Sequence, residues 1–223
     1  MDFKKKKIII IGGGASGFFA AANLDEDKYD VSILEQNSDV LQKVKISGGG
    51  RCNVTHACFD PRELTSFYPR GSKELLSVFT KFQPGDTMEW FESRNVPLKI
   101  EKDNQVFPVS DSSQSIINAM TKEVLGKKFE IKTQISVSEI INQDNNYLVK
   151  TKQGDFLADI IIYSTGSAPK SLKMIEKLGH KMIEPVPSLF TFNINDVLLK
   201  DLPVTSFENA EIQIPSLKTA ESG

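Results

Sequence analysis

The amino-acid sequence predicts an α/β fold in which a parallel β-sheet carries helices on both faces. The run Lys7–Ile11 is short and, after Lys7, wholly apolar and β-branched, which is typical of a strand buried on both sides. A glycine-rich turn, an apolar helical segment and a second strand, Tyr29–Leu34, follow it directly. This order predicts a βαβ unit, whose crossover is almost always right-handed.

The other elements follow from periodicity and from helix and turn signals. We predict helices over Phe18–Leu24, Pro61–Phe67, Lys73–Phe82, Asp86–Arg94 with Asp86 as N-cap, Ser112–Leu125 ended by Gly126, and Pro169–Leu178 ended by Gly179. We predict two short strands around the Asp103-Asn104 turn within 97–109, and strands over Phe129–Val137, Tyr147–Lys152 and Phe156–Tyr163. The segment Gln36–Asn53 is expected to be a polar loop.

A change in sequence composition near residue 185 predicts a second domain. From there on, prolines interrupt short strand-like pieces. We therefore place a boundary near residue 190, with a first domain over 1–190 and the beginning of a β-rich domain over 191–223.

Composition excludes several classes of protein. The 223 residues include 27 Lys+Arg and 29 Asp+Glu, for a net charge of −2, and this balance argues against nucleic acid as the main partner. The two cysteines, Cys52 and Cys58, lack metal-site spacing, so we expect no metal and a reducing compartment. No apolar run approaches the roughly 18 residues that span a bilayer. Lys4–Lys7 and the apolar run after it superficially resemble a secretory signal peptide, but consecutive glycines interrupt that run, so we expect a cytoplasmic protein.

The strongest functional signal is a G-x-G-x-x-G motif formed by Gly12, Gly14 and Gly17. Its position between a buried strand and a helix is the one a dinucleotide-binding fingerprint requires. Gly12 permits the tight turn, Gly14 lets the backbone approach a pyrophosphate, and Gly17 lets the helix pack on the strand. The free N–H groups of the helix start, with the Ser16 hydroxyl, would then bind phosphate. A glycine-rich turn without a ligand is the alternative.

An acidic residue follows the second strand at the expected distance. Glu35 lies 18 residues after Gly17 and would accept hydrogen bonds from ribose hydroxyls. Gln36 and Asn37 supply no arginine for a 2′-phosphate, so NADP is disfavoured in this site. A surface-exposed acid is the alternative.

A second glycine-rich segment, the glycine loop (residues 47–53, SGGGRCN), indicates an anion or cofactor contact. Three successive glycines allow the backbone to lie flat against a planar ligand or a phosphate, and Arg51 adds a bidentate charge. A plain flexible loop is the alternative. Cys52 is either a redox thiol or a packed side chain. Neither His56 nor His180 has a partner at a spacing typical of a triad, and we name no catalytic residue.

With these motifs the chain resembles a family of FAD-dependent bacterial oxidoreductases that carry the SGGGRCN loop and include a bile-acid dehydro-reductase branch. The matching stretches are Ile8–Leu24, Glu35, Lys43–Asn53, Val106–Ser110, Ser164–Gly166, Leu178–His180 and Pro187–Leu189. The resemblance implies a glutathione-reductase-like FAD domain with an inserted second domain. It also implies a flavin oxidoreductase that passes electrons from NAD(P)H to a small-molecule substrate.

The resemblance and the motifs together select the expected FAD contacts. In the resemblance, Lys43–Asn53 runs beside pyrophosphate and flavin, Val137 touches the adenine, and Thr165-Gly166 closes over the cofactor. The candidate cofactor-binding residues are Gly12, Gly14, Ala15, Ser16, Gly17, Glu35, Gln36, Lys43, Ser47, Gly49, Gly50, Arg51, Cys52, Asn53, Val137, Thr165 and Gly166.

The sequence departs from the family pattern in three respects. Gln105 stands where relatives tend to carry Arg, and His56 stands where Asn is usual. The chain also ends at Gly223, inside the expected inserted domain, which predicts a truncated form. An NAD-dependent dehydrogenase and a non-enzymatic nucleotide-binding fragment therefore stay open as alternatives.

Overall fold

The computed structural model describes residues 4–186, 197, 211–214, 216 and 219–222. The chain divides into two units, 1–183 and 184–223. The first unit holds the parallel sheet and the candidate site. In the second unit, Glu211–Ile214 pairs with Thr219–Ser222 as an antiparallel hairpin. Residue 190, where we place the domain boundary, lies outside the described residues, and that boundary stays a prediction.

Strands and helices alternate at the beginning of the first unit, and runs of successive helices and of successive strands follow. The strands are β1 Lys6–Ile11, β2 Tyr29–Leu34, β3 Thr55–His56, β4 Leu98–Ile100, β5 Gln105–Pro108, β6 Glu130–Lys132, β7 Val137–Gln143, β8 Asn146–Thr151, β9 Phe156–Ala158, β10 Ile160–Tyr163, β11 Glu211–Ile214 and β12 Thr219–Ser222. The helices are α1 Ala15–Ala22, α2 Gln42–Ile46, α3 Pro61–Ser66, α4 Ser72–Phe79, α5 Pro84–Glu92, α6 Ser113–Gly126 and α7 Pro169–Lys177. Within the described residues, no helix combines the length and the apolar character needed to cross a bilayer.

The central sheet is parallel and has the strand order β10-β1-β2-β6. Strand β1 lies between β10 and β2, with Ile8 beside Ile160 on one side and Val31 on the other. Its four isoleucines, residues 8–11, are therefore at most 4% exposed. This arrangement confirms the predicted βαβ unit and the α/β fold.

The two faces of this sheet are covered differently. Ile8 and Ile10 join a core with buried residues of α1, α5 and α6. Ile9 and Ile11 point the other way, because side chains alternate along a strand, and pack with residues of the antiparallel sheet β7-β8-β9. The structure thus refines the expectation of helices on both faces: one face is helical, and the other is covered mainly by an antiparallel sheet, with Leu178 after α7 at its margin.

Two predicted strands are each divided in the structure. The segment expected as Phe129–Val137 separates into β6 and β7, because Gln134 has a left-handed φ of 59° and the chain turns there. The segment expected as Phe156–Tyr163 separates into β9, which pairs antiparallel with β8, and β10, which pairs parallel with β1. Asp159 marks this division, since its carboxylate accepts from the Lys7 backbone N–H at 2.7 Å.

The structure also corrects three local expectations. The predicted loop 36–53 contains α2 and a 3-10 turn, Ser47–Gly50. Helix α5 is capped by Gln83, and Asp86 occupies the third helical position of a reciprocal capping box, where its carboxylate accepts from the Gln83 N–H. Helix α1 begins at Ala15, earlier than predicted.

Candidate functional site

A cavity of about 480 Å³ opens beyond the carboxyl ends of β1, β2 and β10. Its volume lies in the range typical of small-molecule sites. The chain passes from β1 to β2 on one side, whereas the later strand β10 lies on the other side of β1, so the strand order reverses at β1. The crevice above β1 is therefore the topological switch point at which open α/β sheets bind ligands. We take this crevice, named here the switch-point cavity, as the candidate site.

Ten of the candidate cofactor-binding residues line the switch-point cavity. They are Gly12, Gly14, Ala15, Ser16, Glu35, Gln36, Lys43, Val137, Thr165 and Gly166. Gly17 and residues 47–53 do not line the cavity. Sequence reasoning missed other lining residues: Ile11, Gly13, Leu34, Asn37, Asp39, Leu41, Gln42, Ile135, Ser136, Ser164, Ala168, Ser171 and Met174. Gly13 lies inside the motif and could have been found there, whereas Ser171 and Met174 come from distant α7 and carry no motif.

The three motif glycines have three separate structural reasons. Gly12 has φ of 110°, and a Cβ there would lie 2.5 Å from the Ser164 carbonyl oxygen. A Cβ on Gly17 would overlap the Gly12 carbonyl oxygen and lie 2.8 Å from Ser164 Oγ. A Cβ on Gly14 would meet no atom within 4 Å. Gly12 and Gly17 therefore allow strand and helix to approach, while Gly14 leaves open space at the cavity.

The start of α1 presents uncompensated backbone donors to the cavity. Gly14 is the N-cap, and no described side chain caps the helix. Ala15 and Ser16, in the first helical turn, line the cavity. Free N–H groups and the positive end of the helix dipole favour an anion at this position.

Glu35 projects into the cavity and is held there by three hydrogen bonds. Its Oε2 accepts from the Gly13 N–H at 2.8 Å, and its Oε1 accepts from Asn37 N at 2.9 Å and Asn37 Nδ2 at 2.7 Å. The residue is only 9% exposed. A carboxylate offers about four acceptor positions, so one position on Oε2 is left for a ligand hydroxyl.

The far wall of the cavity contributes a cation and a hydroxyl. Lys43 Nζ would lie 3.5 Å from a Cβ on Gly166, so this ammonium reaches the loop that follows β10. Thr165 Oγ1 is buried and has no hydrogen-bond partner among the described residues. A buried hydroxyl without a partner is costly, by about 1–3 kcal/mol, and a polar ligand group would remove that cost. The residues present therefore fit a nucleotide phosphate.

The glycine loop does not line the cavity, and its backbone adopts conformations that favour glycine. Gly48, Gly49 and Gly50 all have left-handed φ, at 54°, 65° and 87°. A Cβ on Gly48 would lie 2.9 Å from the Phe107 ring, whereas Gly49 and Gly50 face open space. One side of the loop is thus packed, and the other side leaves the backbone accessible.

The guanidinium of Arg51 is paired with acidic side chains of the protein itself. Its Nη1 lies 2.7 Å from Glu101 Oε1 and 3.5 Å from Asp111 Oδ1, and its guanidinium carbon lies 3.8 Å above the Phe107 ring. The hydrogen bond with Glu101 raises the pKa of the guanidinium. The expected contact between Arg51 and a ligand anion stays a prediction, and the structure supplies a different partner for its charge.

Cys52 is a buried side chain with a left-handed φ of 65°. Burial raises the pKa of its thiol, and a hydrogen bond with Ser47 acts in the opposite direction. A thiol with a raised pKa is a poor nucleophile at neutral pH, which favours the packed interpretation over the redox one. Among the described residues, no cluster of three or more His, Cys, Asp or Glu side chains is arranged to hold a metal ion.

The site consists of a strand, a glycine turn and a helix below an open cavity, with an acidic residue at the end of the next strand. These features define a Rossmann-type nucleotide-binding protein. Comparison with known families makes this more specific. The chain belongs to the family described as HI0933-like protein Rossmann domain, whose model matches residues 6–215.

Several relatives are similar to this chain. It is 29% identical over 183 residues to the 3-dehydro-bile acid delta(4,6)-reductase of Clostridium scindens, covering 78% of this chain and 44% of that protein. It is 24% identical over 201 residues to the ribosomal RNA dihydrouridine synthase of Escherichia coli, covering 86% of this chain and 48% of that protein. The chain thus spans about half the length of these curated relatives.

A solved structure supports the fold. The crystal structure of Thermovibrio ammonificans THI4 aligns with a TM-score of 0.53 at 12% identity, covering 79% of this chain and 64% of that chain. At this level of identity the likeness concerns the fold alone.

Proposed function

We propose that this chain binds FAD in the switch-point cavity and belongs to a flavin-dependent oxidoreductase that uses NAD(P)H to reduce a small molecule. The observation that carries the proposal is the convergence, in one cavity, of the uncapped start of α1, the Glu35 carboxylate and the unpartnered Thr165 hydroxyl. Together these groups match the chemistry of an adenosine diphosphate.

Each group of the nucleotide has a partner in this arrangement. Glu35 accepts from a ribose hydroxyl through the free position on Oε2, while Gly13 and Asn37 keep the carboxylate in place. The first N–H groups of α1, the Lys43 ammonium and the Thr165 hydroxyl bind the pyrophosphate. Val137, half-buried at the start of β7, lies against the adenine.

The bound FAD supplies the electron-transfer chemistry, and the protein supplies binding, orientation and electrostatics. Among the described lining residues of the cavity, the charged ones are two acids, Glu35 and Asp39, and one base, Lys43. A second phosphate on the ribose would meet this negative charge. The cavity therefore favours an unphosphorylated ribose, and NADP is disfavoured here.

The names of the relatives support reduction as the reaction class and leave the substrate open. The Clostridium protein is named as a bile acid reductase, which favours a small molecule. The relatives from Escherichia coli and Haemophilus influenzae are named ribosomal RNA dihydrouridine synthase. The expectation of no nucleic-acid partner accordingly stays a prediction, as do the cytoplasmic location and the NAD(P)H donor.

Equilibrium titration of the purified 223-residue chain tests the proposal. We expect the chain to gain visible flavin absorbance on reconstitution with FAD and to bind FAD more tightly than NADH. Glu35→Gln replaces an acceptor by an NH2 group that cannot accept from Gly13 or Asn37, and it should weaken FAD binding by about 10- to 100-fold. The matched control is Glu89→Gln, on exposed α5 surface outside the cavity lining.

Two other outcomes would select the alternative functions. Tight NADH binding with negligible FAD binding would overturn the proposal in favour of an NAD-dependent dehydrogenase. Adenine-nucleotide binding without FAD-dependent turnover of NAD(P)H, assayed with an artificial electron acceptor, would favour a non-enzymatic nucleotide-binding module.

A further inference from the structure

Helix α7 forms one wall of the switch-point cavity, although no motif in the sequence indicates it. Ser171 and Met174 stand three residues apart on α7, so they lie on the same face of the helix, and both line the cavity. The helix is fastened to the central sheet, because Tyr163 Oη, at the end of β10, donates to the Ser171 carbonyl oxygen at 2.5 Å. Tyr163 itself lies beside Ile11 of β1. The position of Met174 is therefore fixed relative to the strand that precedes the glycine motif.

A second cavity, of about 340 Å³, adjoins the switch-point cavity at Met174. It is lined by residues 138–142 of β7 and by Met174, Lys177 and Leu178, and we name it the β7 cavity. Among the residues that the structure describes, Met174 is the one that lines both cavities. Met174 therefore forms the partition between them.

The segment that leads into β7 runs from Glu35 towards this partition. The Ile135 N–H donates to the Glu35 carbonyl oxygen at 2.8 Å, which places Ile135 beside the end of β2. Ile135 and Val137 line the switch-point cavity, and the lining of the β7 cavity begins at the next residue, Ser138. The part of the switch-point cavity lined by Val137 and Met174 is therefore the part that borders the β7 cavity.

The side chains at this border suit an aromatic base. Ile135, Val137 and Met174 are apolar and line the cavity, and the thioether of methionine makes favourable contacts with aromatic rings. In the proposed function the start of α1 takes the pyrophosphate and Glu35 takes the ribose, so the base is left for this border. The ribose is bonded to N9 of adenine, and the 6-amino group lies on the edge of the purine farthest from that bond.

We propose that Met174 is a specificity-determining residue, whose side chain closes the switch-point cavity at the base and separates the 6-amino edge of adenine from the β7 cavity. This inference rests on the proposed function. It adds that Met174 restricts the site to bases without a large substituent on that edge. The β7 cavity, whose lining includes the apolar Ile140 and Ile141, would accept such a substituent once the Met174 side chain is shortened.

Three nucleotides and three variants of the 223-residue chain test this role. ADP and N6-benzyl-ADP differ only by a ring on the 6-amino group, and 8-bromo-ADP is the control ligand, because C8 adjoins the bond to the ribose. Met174→Ala removes the partition, whereas Met174→Leu nearly conserves the volume of the side chain. Leu172→Ala is the matched control, since it shortens another half-buried side chain of α7 that lies in the lining of neither cavity.

Calorimetric titration gives the affinities, and thermal melting checks that each variant is folded. We expect the unsubstituted chain to bind N6-benzyl-ADP at least about tenfold more weakly than ADP, because the benzyl group overlaps Met174. Met174→Ala should weaken ADP binding by about three- to tenfold through the lost apolar contact, and it should bind N6-benzyl-ADP at least as tightly as ADP. Met174→Leu and Leu172→Ala should keep the preference for ADP, and 8-bromo-ADP should gain nothing from Met174→Ala. Alanine is the best helix former, so both alanine variants should stay folded.

Four results would overturn the inference while leaving FAD binding intact. They are equal affinity of the unsubstituted chain for ADP and N6-benzyl-ADP, an unchanged affinity ratio in Met174→Ala, an equal change of that ratio in Leu172→Ala, and an equal gain for 8-bromo-ADP. Binding of FAD with which ADP does not compete also overturns it. If the unsubstituted chain binds neither FAD nor ADP, the proposed function is defeated, and this inference is defeated with it.

Discussion

Replacing Thr165 by valine should move stability and ligand affinity in opposite directions. The Thr165 hydroxyl oxygen is buried and unpartnered within the described residues, at the wall of the switch-point cavity. Valine has nearly the same shape and lacks the hydroxyl. The unliganded chain therefore loses an unsatisfied polar group, whereas the liganded chain loses a hydrogen bond.

The magnitudes follow from the cost of an unsatisfied hydroxyl and the value of one neutral hydrogen bond. An unpartnered buried group costs about 1–3 kcal/mol, so Thr165→Val should stabilise the unliganded chain by about 1 kcal/mol. For a chain of this size that raises the melting temperature by about 2–4 °C. Loss of one neutral hydrogen bond, about 0.5–1.5 kcal/mol, should weaken FAD binding by about two- to tenfold.

Thermal unfolding followed by circular dichroism and titration with FAD measure the two effects. Thr65→Val is the control, because Thr65 is a buried threonine whose Oγ1 donates to the Arg62 carbonyl at 2.8 Å. That variant should lose about 1 kcal/mol of stability and keep its FAD affinity. A Thr165→Val chain that is less stable than the unsubstituted protein, or that binds FAD equally well, would refute the reasoning.

Three further predictions concern the glycines, the buried thiol and the acid end of the pH range. Gly17→Ala should lower the free energy of unfolding by about 1–3 kcal/mol, because the added methyl group overlaps the Gly12 carbonyl oxygen. Gly14→Ala places its methyl group in open space, so this variant should keep its melting temperature but bind FAD less tightly. Equal melting temperatures of the two variants would contradict this reasoning. Cys52, whose pKa burial raises, should react with a thiol reagent at neutral pH at least about tenfold more slowly than in denaturant, and equal rates would contradict its burial. The hydrogen bond from Lys99, together with Arg51, holds the pKa of Asp111 below its ordinary value of 3.8, so the stability that Asp111 contributes is present above that pH and is lost as the pH falls through its lowered pKa. The protection factors of the glycine-loop amides, which correct the exchange rates for their intrinsic dependence on pH, should therefore fall on acidification, and Asp111→Asn should reduce that pH dependence.

Local signals in the sequence sufficed for the nucleotide end of the candidate site. The apolar run of β1, the glycine spacing and the acid after β2 lie within 30 residues of one another, and each has a local steric or electrostatic reason. The structure brings Gly14, Ser16 and Glu35 to one cavity as those signals predict. Their assignment as FAD contacts stays a prediction.

Two features of the structure depend on distant parts of the chain and were not predicted from local signals. The apolar segment before Tyr163 reads as one strand, yet β9 and β10 pair with different sheets, because the Lys7 N–H binds Asp159 between them. The bidentate charge of Arg51 indicated an anion contact, yet its partners are carboxylates 50 and 60 residues further along the chain. Neither pairing is encoded in a spacing that sequence reasoning recognises.

The sequence by itself determined the βαβ unit, the three glycine positions and the acid that closes the site, since these follow from backbone sterics and from residues close together in the chain. Only the tertiary structure decided which side chains share the cavity wall with them, why one face of the sheet carries strands, and which way Arg51 turns. Those outcomes depend on contacts between segments far apart in sequence, whose free energies are settled by packing and by charge pairing in three dimensions.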